Sequence, residues 1–269
     1  SALEGENKSQ IVALGQRDYY CLASPVYEEG AIGGAILLLL DITEKQRAEK
    51  VRREFSANVS HELKTPLTSI SGYAELIASG MAKGEDASSF ATKIRSEAIR
   101  LLELINNIIK LSRLDEVSSK EDFESINLFE MSSVVAERLE NMAKKNDIEL
   151  KVSGDGAVIK GNPSMIEDLI FNLCENAIKY NKPKGRVDIN ILKNPQEAVL
   201  EIRDTGIGIP KKHQQRIFER FYRVDKSHSK KTGGNGLGLA IVKHIAEYHE
   251  GVVEVESKEQ QGTTMRVRF

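Results

Sequence analysis

The sequence has no tryptophan, only two cysteines and no apolar run long enough to cross a membrane. Cys21 and Cys174 are far apart and match no Cys/His spacing of a metal site, so we expect two reduced thiols in a reducing, cytosolic compartment. The longest apolar run, residues 31–40, contains two glycines and falls short of the ~20 residues of a membrane-spanning helix. We predict a short buried strand there, over residues 34–40.

A strong charge of either sign is also missing, because the net charge is −2. This balance gives no reason to expect nucleic acid or an anionic membrane surface as a partner. The N-terminus lacks the basic start and apolar core of a signal peptide, and it opens abruptly beside a strand-like region. We therefore expect a cytoplasmic piece of a longer protein, with no membrane contact of its own and with any membrane anchor or external sensor outside these residues.

The composition that remains is ordinary for a globular protein, with 40% hydrophobic and 29% charged residues in a chain of 269. This length is enough for two domains or more. Residues 1–42 have the pattern of strands, residues 43–115 that of long helices, and residues 116–122 that of a polar linker. Residues 123–269 alternate between strands and helices, which predicts a mixed sheet with helices on one face.

Two long helices are predicted, one from Thr43, a possible N-cap, to about Ser79, and one from Asp86 or Ser88 to about Leu114. Each carries apolar residues at spacings of three and four, which predicts a buried stripe. One hairpin could hide each stripe only in part, whereas two hairpins would close a four-helix core, so we expect a homodimer. The stripes consist of Val51, Phe55, Val59, Leu63, Leu67, Ile70, Ala74 and Ile77, and of Phe90, Ile94, Ala98, Leu101, Ile105 and Ile108.

His61 lies off this stripe, because two residues beyond Val59 is about 200° around a helix. Its imidazole should point to solvent beside Glu62, whose carboxylate could orient the ring and accept its proton, as a nucleophilic histidine requires. Pro66 cannot bond the carbonyl of Glu62 and should bend the helix. Taken separately, these features could be an exposed histidine, a solvated charge and a kink in a structural coiled coil.

Three polar motifs occur in the last region of the chain, and the first is on the predicted helix 163–180. Asn172, Asn176 and Lys179 share one face of that helix. An amide oxygen there suits Mg²⁺, and the lysine suits a phosphate. An asparagine-rich helix face can also be plain polar surface.

The second motif, DTGIGIP at residues 204–210, follows a predicted strand. Asp204 could accept a hydrogen bond from an exocyclic amine, and Gly206 and Gly208 allow close approach of the backbone to a ring, although the loop could be only a turn. The third motif, the glycines of residues 233–238, precedes a helix whose first N–H groups would attract a phosphate. No strand leads into these glycines, so they are not a Rossmann fingerprint.

The string HELKTPL at residues 61–67 resembles the phosphoacceptor box of sensor histidine kinases. The three motifs above, with IFERFYR at residues 217–223 between the last two, resemble the N, G1, F and G2 boxes of the catalytic domain of that family. This resemblance implies an α+β fold. A dimeric helical hairpin would form a four-helix bundle, followed by an α/β sandwich with a mixed sheet that binds ATP, the Bergerat fold.

The resemblance also implies that His61 takes a phosphoryl group from ATP, with Glu62 as its base, and passes it to an aspartate of a response regulator. Thr65 would support a phosphatase activity on that regulator, unless its hydroxyl only bonds a carbonyl freed by the bend. Asn172 would bind Mg²⁺, and Arg223 would reach the γ-phosphate. The other implied nucleotide contacts are Asn176, Lys179 and Tyr180, Asp204 on the adenine amine, Gly206 and Gly208 beside the ring, and Gly234, Gly236 and Gly238 in a lid hinge.

Two other functions fit parts of the pattern. One is a Bergerat-fold ATPase whose dimer clamps another macromolecule without phosphohistidine, and the other is a signalling scaffold that binds no ATP. The box around His61 argues against the first, and intact N, G1 and G2 boxes argue against the second. The segment ending at residues 40–44 resembles the last strands of a PAS sensor domain, and it could otherwise be a packing hairpin.

Overall fold

The computed structural model describes residues 4–28, 30–116, 123–194, 197–224 and 234–269. Residues 117–122 of the predicted linker lie outside the described residues. The segment 225–233, which includes the first glycine of the third motif, lies outside them as well. The chain divides between His61 and Glu62 into two compact units. No helix in the described part of the chain is long and apolar enough to cross a membrane.

The first unit contains a three-stranded antiparallel sheet, ordered as its strands follow one another in sequence. The strand expected at residues 34–40 is present, but the expectation that it is buried is wrong, because the five residues from Ile36 to Leu40 are each more than half exposed. Successive residues of a strand point to opposite faces, so neither face of this strand is covered by the described residues of the unit. The strands are β1 (Lys8–Leu14), β2 (Arg17–Glu28) and β3 (Ala31–Asp41).

A long helix, α1 (Thr43–Ala78), follows β3 almost directly. Thr43 is buried and its hydroxyl accepts the N–H of Asp18 at 2.9 Å. The N–H of Thr43 donates to the carboxylate of Asp41 at 3.0 Å. Thr43 is therefore the first residue of the helix and not its N-cap, and it joins the end of the sheet to the start of α1.

In the second unit, α1 is followed by a break at residues 79–84 and by α2 (Glu85–Glu116). Tyr73 of α1 stacks on Phe90 of α2 with ring centroids 5.2 Å apart, which ties the two helices beside the break. The helix α1 continues through Pro66, and the bend expected there stays a prediction.

The apolar stripes of the hairpin are only partly buried within one chain, as expected for a single hairpin. Leu67 on α1 is 55% exposed and Ile105 on α2 is 37% exposed. Among the described side chains of α2, those of Leu104, Leu111 and Leu114 are buried, and they lie outside the predicted stripe. Two helices leave an open side on each stripe, so its full burial needs a further layer of structure.

Residues 123–269 form an α/β sandwich, as predicted. The main sheet has the order β5-β7-β8-β10-β9, in which β5 is parallel to β7 and all other neighbours are antiparallel, while β4 pairs with β6. The predicted mixed sheet is therefore confirmed. Its elements are β4 (Glu124–Asn127), α3 (Leu128–Lys145), β5 (Ile148–Gly154), β6 (Val158–Gly161), α4 (Pro163–Lys179), β7 (Gly185–Lys193), β8 (Ala198–Asp204), α5 (Lys211–Gln214), α6 (Gly238–Tyr248), β9 (Val252–Lys258) and β10 (Gly262–Arg268).

The core of this domain lies between the main sheet and the three helices α3, α4 and α6. On β7, Val187, Ile189 and Ile191 are fully buried, whereas Asp188 and Asn190 between them point to the opposite, polar face. Each buried aliphatic side chain contributes about 1.5–3 kcal/mol to folding. The sheet thereby fixes the positions of the helices that carry the candidate site.

Candidate functional site

The candidate site is built on α4, whose start is well defined. Asn162 is the N-cap, and its side-chain oxygen accepts the N–H of Met165 at 3.1 Å, while Pro163 occupies the first turn. The inner face of the helix is buried in the core, which leaves the polar face turned away from the sheet. The buried residues are Ile166, Leu169, Ile170, Leu173, Cys174, Ala177 and Ile178.

Asn172, Asn176 and Lys179 lie half-buried on that polar face. The side-chain amide of Asn172 donates to the carbonyl of Asp168 at 2.7 Å, which fixes its orientation. Its oxygen faces the start of α6, because a Cβ built on Gly238 would lie 2.9 Å from it. No group of three or more His, Cys, Asp or Glu in the described residues could hold a metal alone. One amide oxygen completed by phosphate oxygens is a donor set that fits Mg²⁺.

Lys179 and Tyr180 end this helix beside the third motif. A Cβ built on Gly234 would lie 3.2 Å from the ammonium of Lys179 and 3.4 Å from the hydroxyl of Tyr180. Burial lowers the pKa of Lys179, whereas the nearby carboxylate of Glu175 raises it. A half-buried ammonium next to a glycine loop is suited to pair with phosphate.

Asp204 is the last residue of β8, and one of its two carboxylate oxygens already accepts hydrogen bonds from the backbone. Its Oδ1 accepts the N–H of Gly206 at 2.8 Å and the N–H of Thr263 at 3.2 Å, whereas Oδ2 has no hydrogen bond within the described part of the chain. Burial raises the pKa of Asp204, and the two N–H donors act in the opposite direction. Oδ2 is therefore the acceptor that remains for an amine of a ligand.

The loop that follows Asp204 is fixed by its backbone. A side chain on Gly206 would overlap the carbonyl of Tyr180, and one on Gly208, which has a φ of +67°, would overlap the carbonyl of Lys258. The hydroxyl of Ser257 accepts an N–H of the loop at 2.7 Å. The loop is thus held against α4 and β9 and forms a rigid wall of the site.

Sequence reasoning missed Ser257 and Thr263, which support this loop from β9 and β10. Both lie about 50 residues or more beyond the loop in sequence, so no local pattern connects them with it. The only available signal was the pair Gly262 and Thr263 after a polar turn, since glycine at 262 allows the close approach to the carbonyl of Asp204.

The segment that carries Arg223 is attached to the third motif by a backbone contact. The N–H of Phe221 donates to the carbonyl of Gly236 at 2.9 Å, and both residues have left-handed backbones with φ of +64° and +71°. The Nη2 of Arg223 is buried and has no hydrogen-bond partner among the described residues. Burial lowers the pKa of Arg223, against the effect of Tyr180 and Glu62. An unpaired buried guanidinium N–H calls for an anion.

The third motif ends at the N-terminus of α6, which begins at Gly238. Within the described part of the chain no side chain caps this terminus, although the N–H of Leu237 donates to the side chain of Asn235 at 3.1 Å. The start of α6 lies beside the side-chain oxygen of Asn172, and uncapped N–H groups at a helix N-terminus are suited to a phosphate.

The predicted phosphoacceptor residues lie together on α1. His61 and Thr65 are exposed, Glu62 is half-buried and Pro66 is buried. The division between the two units falls directly after His61. Glu62 and Thr65 therefore belong to the same unit as the predicted nucleotide-site residues, and the charge of Glu62 acts on Arg223.

Two family descriptions match the chain, and together they cover more than half of it. The "His Kinase A (phospho-acceptor) domain" matches residues 51–117, and the "Histidine kinase-, DNA gyrase B-, and HSP90-like ATPase" matches residues 161–269. The sensor protein kinase WalK of Staphylococcus aureus is 39% identical over 243 residues, which are 89% of this chain and 59% of the relative. For WalK of strain JH9 the covered share of the relative is 40%, so the chain spans about half the length of the curated relatives it matches.

Solved structures show the same fold. The Acinetobacter baumannii histidine kinase AdeS is similar with a TM-score of 0.64 and 20% identity, over 78% of this chain and 96% of that chain. The histidine kinase ThkA, in complex with the response regulator protein TrrA, is similar with a TM-score of 0.65 and 21% identity, over 99% of this chain and 79% of that chain. At these identities the likeness establishes the fold.

Proposed function

Because the chain belongs to the sensor histidine kinase family, we propose that it transfers the γ-phosphoryl group of ATP to His61 and then to an aspartate of a response regulator. The observation that carries this proposal is the match of both parts of the chain, phosphoacceptor and ATPase, with a nucleotide site whose groups are intact. Among the described residues of that site, Asp204 has an unused acceptor and Arg223 has an unpaired buried donor.

In the proposed reaction, ATP would be held through its adenine amine by Oδ2 of Asp204. The imidazole of His61 would attack the γ-phosphorus, so that a nitrogen–phosphorus bond forms, the bond to the β-phosphate oxygen breaks and ADP leaves. Glu62 would accept the imidazole proton. Lys179 and Arg223 would neutralise phosphate charge, since phosphoryl transfer depends mainly on positioning and electrostatics.

Mg²⁺ fits the proposed site through the side-chain oxygen of Asn172. When bound, the ion would neutralise charge on the phosphates and fix their geometry. Asn176 and the glycines at positions 234, 236 and 238 would surround the phosphates, and Tyr180 would line the pocket. The remaining acceptors for the ion would be phosphate oxygens and water.

A homodimer is also proposed, supported by the half-exposed stripes of α1 and α2. Leu67, Ile105 and their neighbours form an apolar surface that a second hairpin could cover to complete a four-helix bundle. The second proposed partner is the receiver domain of a response regulator, which would dock where His61 is exposed.

The central test is self-labelling with γ-labelled ATP. The wild-type chain should take up a label that is acid-labile and alkali-stable, and His61→Gln should abolish it while nucleotide binding is retained. A label on serine or aspartate would contradict the phosphohistidine proposal. ATP hydrolysis without any protein label would instead favour the clamp-type ATPase.

We further propose that the protein dephosphorylates its regulator with the help of Thr65. This residue lies one helical turn after His61, where its hydroxyl could orient a water molecule against a phosphoaspartate. Thr65→Ala should leave self-labelling nearly intact and slow dephosphorylation about tenfold or more. Thr68→Ala is the matched control, because Thr68 is also exposed on α1 and its hydroxyl donates to the carbonyl of Lys64 at 2.9 Å. Equal loss of both activities in the Thr65 variant would assign Thr65 a purely structural role.

Residues 1–42 are proposed to be the last strands of a PAS-like sensor domain. The uncovered apolar residues of β3 and its near-direct continuation into α1 support this proposal. The unpaired thiols of Cys21 and Cys174 support a cytoplasmic position of this part of a membrane-bound protein.

The proposal for the strands is tested by a double variant of β3. The variant that carries both Leu37→Ser and Leu39→Ser should leave self-labelling unchanged. A loss of labelling would show that these strands belong to the catalytic machinery instead.

A further inference from the structure

His249 is a buried polar residue, 8% exposed, that the proposed reaction does not use. It follows α6 directly and is the C-cap of that helix. Phe123 stacks on one face of its ring at a centroid distance of 4.9 Å, and Tyr248 and Phe269 meet the ring edge-on. These three rings hold the imidazole in one orientation.

Both ring nitrogens of His249 are hydrogen-bonded to the backbone. Nδ1 lies 2.7 Å from the carbonyl of Ile245, and Nε2 lies 3.0 Å from the N–H of Asn162. A carbonyl can only accept and an N–H can only donate, so Nδ1 carries the proton and Nε2 is the acceptor. Because Asn162 is the N-cap of α4, this single imidazole joins the C-terminus of α6 to the N-terminus of α4.

Gly161 provides the space for this contact. A Cβ built on Gly161 would lie 2.7 Å from Cδ2 and 2.8 Å from Nε2 of His249, which is closer than side chains pack. Glycine at the end of β6 therefore allows the ring to reach the N–H of Asn162. The hydrogen bond between His249 and Asn162 therefore needs both the imidazole as acceptor and a glycine at position 161.

The opposite end of α6 lies at the nucleotide site. Gly238, the first residue of α6, faces the side-chain oxygen of Asn172. A helical rise of about 1.5 Å per residue gives about 16 Å from Gly238 to His249 and about 15 Å from Asn162 to Asn172. The two helices thus run antiparallel along matched lengths with a contact at each end. A shift of α6 along α4 at His249 must displace Gly238 against Asn172.

We propose that His249 is a positioning residue of the ATP site. By fixing the register of α6 on α4, its imidazole sets the distance between the glycines that precede α6 and the polar face that carries Asn172. This inference rests on the nucleotide site proposed above. It assigns His249 no contact with ATP.

The test uses four variants of the full chain. His249→Phe keeps the ring stacking and removes both hydrogen bonds, whereas His249→Gln keeps an oxygen that can accept the N–H of Asn162. Gly161→Ala displaces the imidazole without changing it. Glu247→Gln, on the exposed side of α6, is the control. For each variant the Kd of a non-hydrolysable ATP analogue with Mg²⁺ is measured by calorimetry, together with the rate of self-labelling at saturating ATP, at a temperature where circular dichroism shows a folded protein.

Loss of the link should weaken nucleotide binding about fivefold or more in His249→Phe and Gly161→Ala, with a smaller change in the rate at saturation. His249→Gln should bind close to the wild type, and Glu247→Gln should equal it. A folded His249→Phe variant with wild-type affinity, even with a lower Tm, would overturn the proposal. So would a glutamine variant no better than the phenylalanine one.

If His249→Phe does not fold, the nucleotide affinities of Gly161→Ala and His249→Gln test the proposal instead. Wild-type affinity in Gly161→Ala would overturn the proposal, and so would a weakened His249→Gln. A wild-type chain that fails to bind the analogue would overturn the nucleotide site itself, and this result is known before any variant is compared.

Discussion

The helices of the hairpin and the helices of the ATP-binding domain have apolar stripes of the same spacing but of different burial. On α4, Ile166 and Ile170 are fully buried against the sheet of the same chain. On the hairpin, Leu67 is 55% and Ile105 is 37% exposed. Spacing therefore predicts which side of a helix is apolar, whereas the covering layer depends on what else is present. In the ATP-binding domain the chain supplies that layer, and in the hairpin we expect a second chain to supply it.

The largest loss of stability should follow from a charged residue placed in the core of the ATP-binding domain, where one chain covers its own apolar stripe. Ile170→Glu would bury an unpaired carboxylate at a position with 0% exposure, which should cost about 4 kcal/mol or more and unfold the ATP-binding domain. Circular dichroism and loss of nucleotide binding would report this at every protein concentration. Ile170→Val is the control and should remain folded. A folded, ATP-binding glutamate variant would remove the contrast between the two regions.

A charge in the hairpin stripe should have a different consequence. Ile105→Glu is expected to dissociate the dimer while the ATP-binding domain stays folded, because the partly exposed carboxylate can be hydrated in the single chain. Phe55→Glu on α1 should act in the same way. Light scattering over a range of concentrations measures the dissociation, and Ile105→Leu should remain dimeric. An intact dimer in both glutamate variants would contradict the proposed interface.

A smaller loss of activity is expected from a change at the backbone contact between Gly236 and Phe221. An alanine at Gly236 would have to adopt a φ of +71°, and its Cβ would lie 2.8 Å from the carbonyl carbon of Phe221. The strained backbone should cost about 1–2 kcal/mol and push away the segment that carries Arg223. Self-labelling should fall more than nucleotide affinity.

Gly234→Ala is the matched control for this loop. A Cβ at position 234 would meet the flexible end of Lys179 at 3.2 Å, and no left-handed backbone is required there. The control should therefore lose much less activity. Equal losses in the two variants would show that crowding of the glycine loop, and not its contact with Phe221, determines the rate.

Local patterns predicted most of the secondary structure from the sequence. The helices α1, α2 and α4 begin and end within a few residues of their expected positions, because caps, glycines and apolar spacing are local signals. The polar face of α4 and the glycines after β8 were likewise recognised from residues a few positions apart.

Features that depend on distant parts of the chain could not be predicted in this way. Thr263 donates to Asp204 across 59 residues, and Asn162 donates to His249 across 87. The exposure of β3 is a further case, because an apolar run predicts a strand but not the layer that would cover it. The two hydrogen bonds join residues that only the tertiary fold brings together.

The smallest expected change in stability concerns Asp204. Burial favours the protonated form of this carboxyl group, whereas the proposed contact with adenine needs an acceptor. Burial raises the pKa of Asp204 above its ordinary value of 3.8, so the native protein binds the proton more readily than the unfolded chain. The free energy of unfolding therefore decreases as the pH rises from 3.8 through the raised pKa, and the ionised carboxylate weakens the fold near pH 7. Asp204→Asn removes this cost and keeps an oxygen for the N–H groups of Gly206 and Thr263. We expect a slightly higher free energy of unfolding near pH 7 and no such gain below pH 3.8.

The same substitution should weaken ATP binding, because the amide would turn an NH₂ group instead of an acceptor toward the adenine amine. A loss of about tenfold in affinity is expected, which corresponds to one unmade hydrogen bond in a buried site. Urea unfolding at the two pH values and calorimetry with ATP measure the two changes separately. A variant that is less stable near pH 7 and binds ATP unchanged would show that Asp204 only holds the turn to Gly206, and that the adenine is recognised elsewhere.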